Sequence, residues 1–196
     1  GDLIGSSAGG ILAAEAAAFS NASVRKLVLI DSFGLYDDSA PPVMFFANTP
    51  PAQDALLSSN ADALRELTAP PVGLSDAEML EWEMEAFRVN EATARLVWPM
   101  GDHGLRKRLH RIRARTLVLW GAQDKLFPAS YASLFEQGIA GATRTKIIKG
   151  AGHLAWLDRP DDTATAVLRF VGTPRQRRRA AKLTGEEPSP PGIAAE

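Results

Sequence analysis

Lys26-Leu27-Val28-Leu29-Ile30-Asp31 and Thr116-Leu117-Val118-Leu119-Trp120 constrain the fold of this chain more than any other stretch. Neither run alternates apolar with polar residues, so as a strand it has no face to give to water. Strands of that kind are covered on both sides, as in a parallel sheet. Leu3-Ile4 reads as the end of a similar strand and Thr145–Ile148 as a weaker one. Helices are expected between them, from Ala8 to about Ser20 through the alanine-rich run Ala13–Ala18, and near Pro128–Gln137. A last helix is expected over Pro160–Val171. Pro160 suits its first turn, and Asp161 and Asp162 complement the positive end of its dipole. Alternating strands and helices predict an α/β fold, a parallel sheet flanked by helices.

The stretch between Ile30 and Thr116 breaks this rhythm. Pro41-Pro42, Pro50-Pro51 and Pro70-Pro71 punctuate loops. Ser75-Asp76-Ala77-Glu78 reads as a capping box. It opens a helix through about Leu96 with Leu80, Met84 and Phe87 on one face. The expected division is a core of residues 1–35 and 111–172, a helical subdomain at 36–110, and a disordered tail at 173–196. The tail opens on the basic run Arg175–Arg179 and ends rich in Pro, Gly, Glu and Ala.

A net charge of −1 argues against a nucleic-acid binder, and the lack of cysteine excludes disulfides and thiol nucleophiles. The longest apolar run, Ala13–Phe19, is interrupted by Glu15 and is too short to span a bilayer. The expectation is a cytoplasmic protein acting on a small molecule, with no membrane or nucleic-acid partner. Its oligomeric state is not readable.

Three loop positions carry the chemistry. Gly5-Ser6-Ser7-Ala8-Gly9 fits G-x-S-x-G, in which a serine ends a strand and begins a helix in a strained conformation with its hydroxyl thrust outward. The residues two before and two after Ser7 face each other across the turn and are expected to be tiny for that reason. The Ala8 N–H, at the helix N-terminus, would point at a developing oxyanion. A Gly/Ser-rich turn or a phosphate loop is the other reading, but no Walker lysine or complete G-x-G-x-x-G is present. Asp124 lies just past the end of the second apolar run, where catalytic groups of open α/β sheets gather. His153 lies in a glycine-rich loop between the last strand and the last helix. His103 and His110 have no such setting and read as structural or surface residues. A serine needs a base to take its proton, and the imidazole needs an acid to fix its tautomer. The order Ser, Asp, His supplies all three from successive strand ends.

The patterns G-x-S-x-G-G (Gly5, Ser7, Gly9, Gly10), L-W-G-x-x-D-x-x-x-P (Leu119, Trp120, Gly121, Asp124, Pro128) and G-x-G-H (Gly150, Gly152, His153) resemble those of cap-bearing α/β-hydrolases over about residues 1–172. The resemblance implies Ser7 as nucleophile, His153 as general base and Asp124 as acid. It also implies the Ala8 N–H as an oxyanion donor and a cap from about Tyr36 to His110. Asp31 ends a strand where some members place the acid, but Asp124 matches the commoner pattern. Phe33, Phe45, Phe46, Trp98 and Leu154 are candidate substrate-pocket residues, with core or cap packing as their other reading.

No metal or organic cofactor is implied. The expected reaction is acyl transfer to water on a small, largely hydrophobic ester, or cleavage of a carbon–carbon bond next to a ketone. An acyltransferase with the same triad and a non-catalytic binding protein are the alternatives. Complete members carry further strands before the nucleophile, and an HG-type segment that gives a second oxyanion N–H. Nothing of the kind stands before Gly5, and position 1 is Gly. The expectation is therefore the C-terminal part of a longer hydrolase, inactive alone.

Overall fold

The computed structural model describes residues 1–20, 22–98 and 100–172, and the expected tail at 173–196 lies outside the described residues. Four parallel strands form one sheet in the order β1-β2-β3-β4: Asp2–Ser6, Lys26–Ile30, Arg115–Gly121 and Thr143–Ile148. Gly5 pairs with Leu29, Leu29 with Val118, and Val118 with Thr145. The carboxyl ends are thus nearly level, and every loop leaving them opens on the same rim.

The unbroken apolar runs behave as their composition demands. Leu27, Leu29, Val118 and Trp120 point to one face, where helix α1 (Ala8–Phe19) and helix α5 (Tyr131–Gly138) cover them. Val28, Ile30, Leu117 and Leu119 point to the other, against Ala155 and Ala166. Those two alanines belong to helices α6 (Ala155–Asp158) and α7 (Pro160–Val171). Each face removes aliphatic surface from water, the main favourable contribution to folding. Glu15, the one charge in the apolar run of α1, is neutralised by the Arg108 guanidinium, which donates to both its oxygens.

The segment joining β2 to β3 is helical throughout its regular parts. It holds α2 (Pro50–Leu57), α3 (Ala61–Thr68), the long α4 (Asp76–Val97) and three short 3₁₀ turns. Pro50-Pro51 does not break a loop here. The pair occupies the first turn of α2, where proline's missing N–H costs no hydrogen bond. The capping box forms as expected, with Ser75 Oγ accepting from Glu78 N and the Glu78 carboxylate accepting from Ser75 N. The apolar face of α4 is left largely in solvent, with Leu80 58%, Met84 47% and Phe87 71% exposed. From Val97 at its end the chain rejoins the main core through buried Met100, Leu105 and Leu109. Among the described residues no helix is long and apolar enough to cross a membrane.

Candidate active site

β1 ends at Ser6 and α1 begins at Ala8, so Ser7 alone makes the turn. It does so at φ 54° and ψ −123°, a conformation that costs a side-chain-bearing residue about 1–3 kcal/mol. The surrounding backbone holds it there. Ser7 N donates to Ile30 O at 2.9 Å, and Ser7 O accepts from Gly10 N at 2.9 Å and Phe33 N at 3.2 Å. The steric demand differs in one respect from the expectation. A Cβ on Gly5 would stand 2.3 Å from the Gly9 carbonyl oxygen, and one on Gly10 would stand 2.2 Å from Ser32 Oγ, whereas Gly9 faces open space. The carbonyl of Gly9 needs the room, and its own missing side chain does not.

Asp124 is buried just beyond β3 and uses its two oxygens differently. Oδ1 accepts from Leu126 N and Phe127 N, each at 2.9 Å, closing the turn. Oδ2 lies 2.9 Å from His153 Nδ1. A carboxylate only accepts, so the Nδ1 hydrogen points at Asp124 and Nε2 carries the free lone pair. That Nε2 lies 2.9 Å from Ser7 Oγ. His153 is wholly buried, with its ring 5.4 Å from Phe33 and 6.1 Å from Phe127, centroid to centroid. The Trp120 indole donates to Phe127 O at 3.0 Å and fixes the far end of the Asp124 loop.

Asp31 holds the other candidate carboxylate, and its oxygens are engaged elsewhere. They accept from Gly121 N at 2.7 Å and Ala155 N at 3.3 Å. Burial, and next the charge of Asp124, push its pKa well above the ordinary carboxylate range.

The Ala8 N–H stands at the first position of α1 and makes no hydrogen bond among the described residues. Of the candidate pocket residues, Phe33 packs on His153, and Leu154 follows it in the chain. Phe45 and Phe46 meet edge to face at 5.1 Å and lie against the main core. Trp98 caps the carboxyl end of α4 and is 52% exposed, and nothing places it beside Ser7. His103 and His110 are exposed. Sequence reasoning missed Phe127, whose only signal was its place three residues after Asp124. It also missed Asp158, five residues after His153, whose partners Ser58 and Ser59 lie a hundred residues away.

The sequence pattern of the alpha/beta hydrolase family matches residues 2–166. Monoacylglycerol lipase ABHD6 of Bos taurus is 25% identical over 81 residues, which are 41% of this chain and 24% of that protein. A membrane phospholipase A described as a bacterial virulence factor superposes with a TM-score of 0.62 at 23% identity, over 87% of this chain and 56% of that one. For 2-hydroxy-6-oxo-6-phenylhexa-2,4-dienoate hydrolase from Rhodococcus sp. strain RHA1 the TM-score is 0.67 at 18% identity, over 88% and 64%. The chain thus spans less than two thirds of the length of each of these proteins. The family match runs from β1 into α7 and takes in Ser7, Asp124 and His153. This chain belongs to the alpha/beta hydrolase family.

Proposed function

We propose that the protein is a serine hydrolase that cleaves a small, largely hydrophobic carboxylic ester by acyl transfer to water. The observation that carries this reading is the unbroken relay from Ser7 Oγ through His153 to Asp124, with both links at 2.9 Å around a buried imidazole. Ser7 Oγ attacks the ester carbonyl as its proton passes to His153 Nε2, and Asp124 stabilises the imidazolium that forms. The Ala8 N–H, at the positive end of α1, donates to the developing oxyanion. Collapse of the tetrahedral intermediate releases the alcohol, which takes the proton from Nε2 and leaves Ser7 acylated. Water, deprotonated in turn by His153, then releases the acid and restores the serine.

Phe33 and Leu154 beside His153 supply an apolar wall for the substrate, and the helical segment at 36–110 serves as the cap. The curated relative quoted above is a monoacylglycerol lipase, which supports an ester substrate. Carbon–carbon cleavage, acyl transfer to an alcohol and ligand binding without turnover are the other outcomes of the test.

That test is a fluorophosphonate probe on the intact protein, read by mass spectrometry, beside an ester panel of graded acyl length. A Ser7 adduct is expected, together with a fall in turnover on the order of 10⁴–10⁶ in Ser7→Ala. A protein that turns over no ester and takes up no probe at Ser7 refutes the reading.

A further inference from the structure

Asp158 ends α6 and is used by none of the steps above, yet its carboxylate has more donors than any other in the site. It accepts from Ser59 N at 3.0 Å, Ser59 Oγ at 2.8 Å, Gly152 N at 2.6 Å and the Ser58 hydroxyl. Ser58 and Ser59 follow α2 in the helical segment between β2 and β3, whereas Gly152 immediately precedes His153. On the other side of His153, Leu154 N donates to Leu57 O at 2.8 Å. Both peptide N–H groups flanking the histidine are therefore anchored to residues 57–59, one directly and one through a single carboxylate. The approach leaves little slack. A Cβ on Gly152 would stand 3.2 Å from both Asp158 Oδ2 and Ser59 N. Burial alone would raise the Asp158 pKa, but the hydroxyl and amide donors outweigh it and hold it below the ordinary carboxylate value.

We infer that Asp158 is a positioning residue that couples the seating of residues 57–59 to the placement of His153. With that segment docked, the Gly152 and Leu154 peptides are pinned and the imidazole reaches Ser7 Oγ. With it undocked, Leu154 N loses its acceptor and Asp158, still bonded to Gly152, loses its tie to the segment, so the histidine loop is freed and the proton relay opens. The segment thus completes the catalytic machinery as well as covering it. This inference rests on the hydrolase reading above.

The experiment is fluorophosphonate inactivation of the intact protein, resolved into the saturating rate constant and the half-saturating probe concentration. Two variants are compared with the wild type. Asp158→Ala removes the acceptor from all four donors at once. The double variant Ser58→Ala/Ser59→Ala removes the two hydroxyl donors from the segment and leaves the backbone bonds of Ser59 N, Gly152 N and Leu154 N in place. A misplacement of about 1 Å costs on the order of 10²-fold in rate. Both variants are therefore expected to lose about 10–100-fold in the saturating rate constant, with the half-saturating concentration unchanged. The downfield imidazole proton resonance of His153 is expected to shift in both.

An unlabelled wild-type Ser7 would count against the hydrolase reading itself. A labelled wild type with both variants at its rate would refute the role of Asp158. Slow Asp158→Ala with an unaffected double variant would refute coupling through the serine hydroxyls, leaving Asp158 as a brace of its own loop. Where Asp158→Ala lowers the folded population, the double variant decides.

Discussion

The strain at Ser7 can be measured separately from its chemistry. Ser7→Ala and Ser7→Gly both remove the hydroxyl, and with it a hydrogen bond to His153 worth about 1 kcal/mol. They differ in the backbone. Alanine stays at φ 54°, ψ −123° and keeps the penalty of about 1–3 kcal/mol, whereas glycine occupies that region freely. Against that gain, glycine's extra freedom in the unfolded chain costs about 0.4–1 kcal/mol. The glycine variant is therefore expected to exceed the alanine variant by about 1.3 kcal/mol at mid-range, within limits of about 0–2.6 kcal/mol. In Tm the mid-range value is roughly 3–5 °C for a chain of this size. Urea denaturation of the two variants at pH 7, with equal m-values, provides the comparison. A glycine variant no more stable than the alanine variant would show that the turn relaxes away from positive φ in solution. The fold would then not be holding the serine against its own backbone preference.

The two glycines flanking the serine are expected to respond oppositely in thermal melts. Gly5→Ala, with its Cβ 2.3 Å from a carbonyl oxygen, destabilises by more than about 3 kcal/mol, whereas Gly9→Ala gains about 0.5–1 kcal/mol of helix propensity. Asp124→Asn is expected to lower kcat by about 10⁴ through the wrong imidazole tautomer, while the Oδ1 turn bonds persist and the Tm falls little. Parallel loss of both in kinetics and melts would contradict that separation. Asp31 has its pKa raised in the folded state by burial and by Asp124, so the folded protein holds that proton more tightly than the unfolded chain. Its contribution to stability is therefore lost as pH rises from the ordinary value of 3.8 through the raised one. Asp31→Asn should gain on the wild type across that window in urea titrations, and a difference independent of pH would refute the assignment.

Sequence reasoning reached the sheet because Leu27–Ile30 and Leu117–Trp120 have only one environment open to them. It located three loop residues that the structure brings into one hydrogen-bonded line, because parallel strands deliver their carboxyl ends to one rim. It failed where a local signal has two meanings. A proline pair marks a loop or the first turn of a helix, and only the fold shows that Pro50-Pro51 begins α2. Leu80, Met84 and Phe87 have helical spacing, which defines a face but not a partner, and the structure leaves that face in solvent. Asp158 was invisible because its meaning lies in Ser58 and Ser59, and no periodicity connects residues a hundred positions apart.

The two oxygens of Asp124 have a consequence for how such a chain changes over time. One closes a turn and the other faces the histidine, so a lineage that abandoned chemistry would still have a folding reason to keep the aspartate. Ser7 is the reverse case, since its backbone conformation favours glycine and its hydroxyl closes no turn. In descendants drifting out of use, the acid should outlast the serine. The surviving serine is therefore better testimony to selection for turnover than the surviving carboxylate.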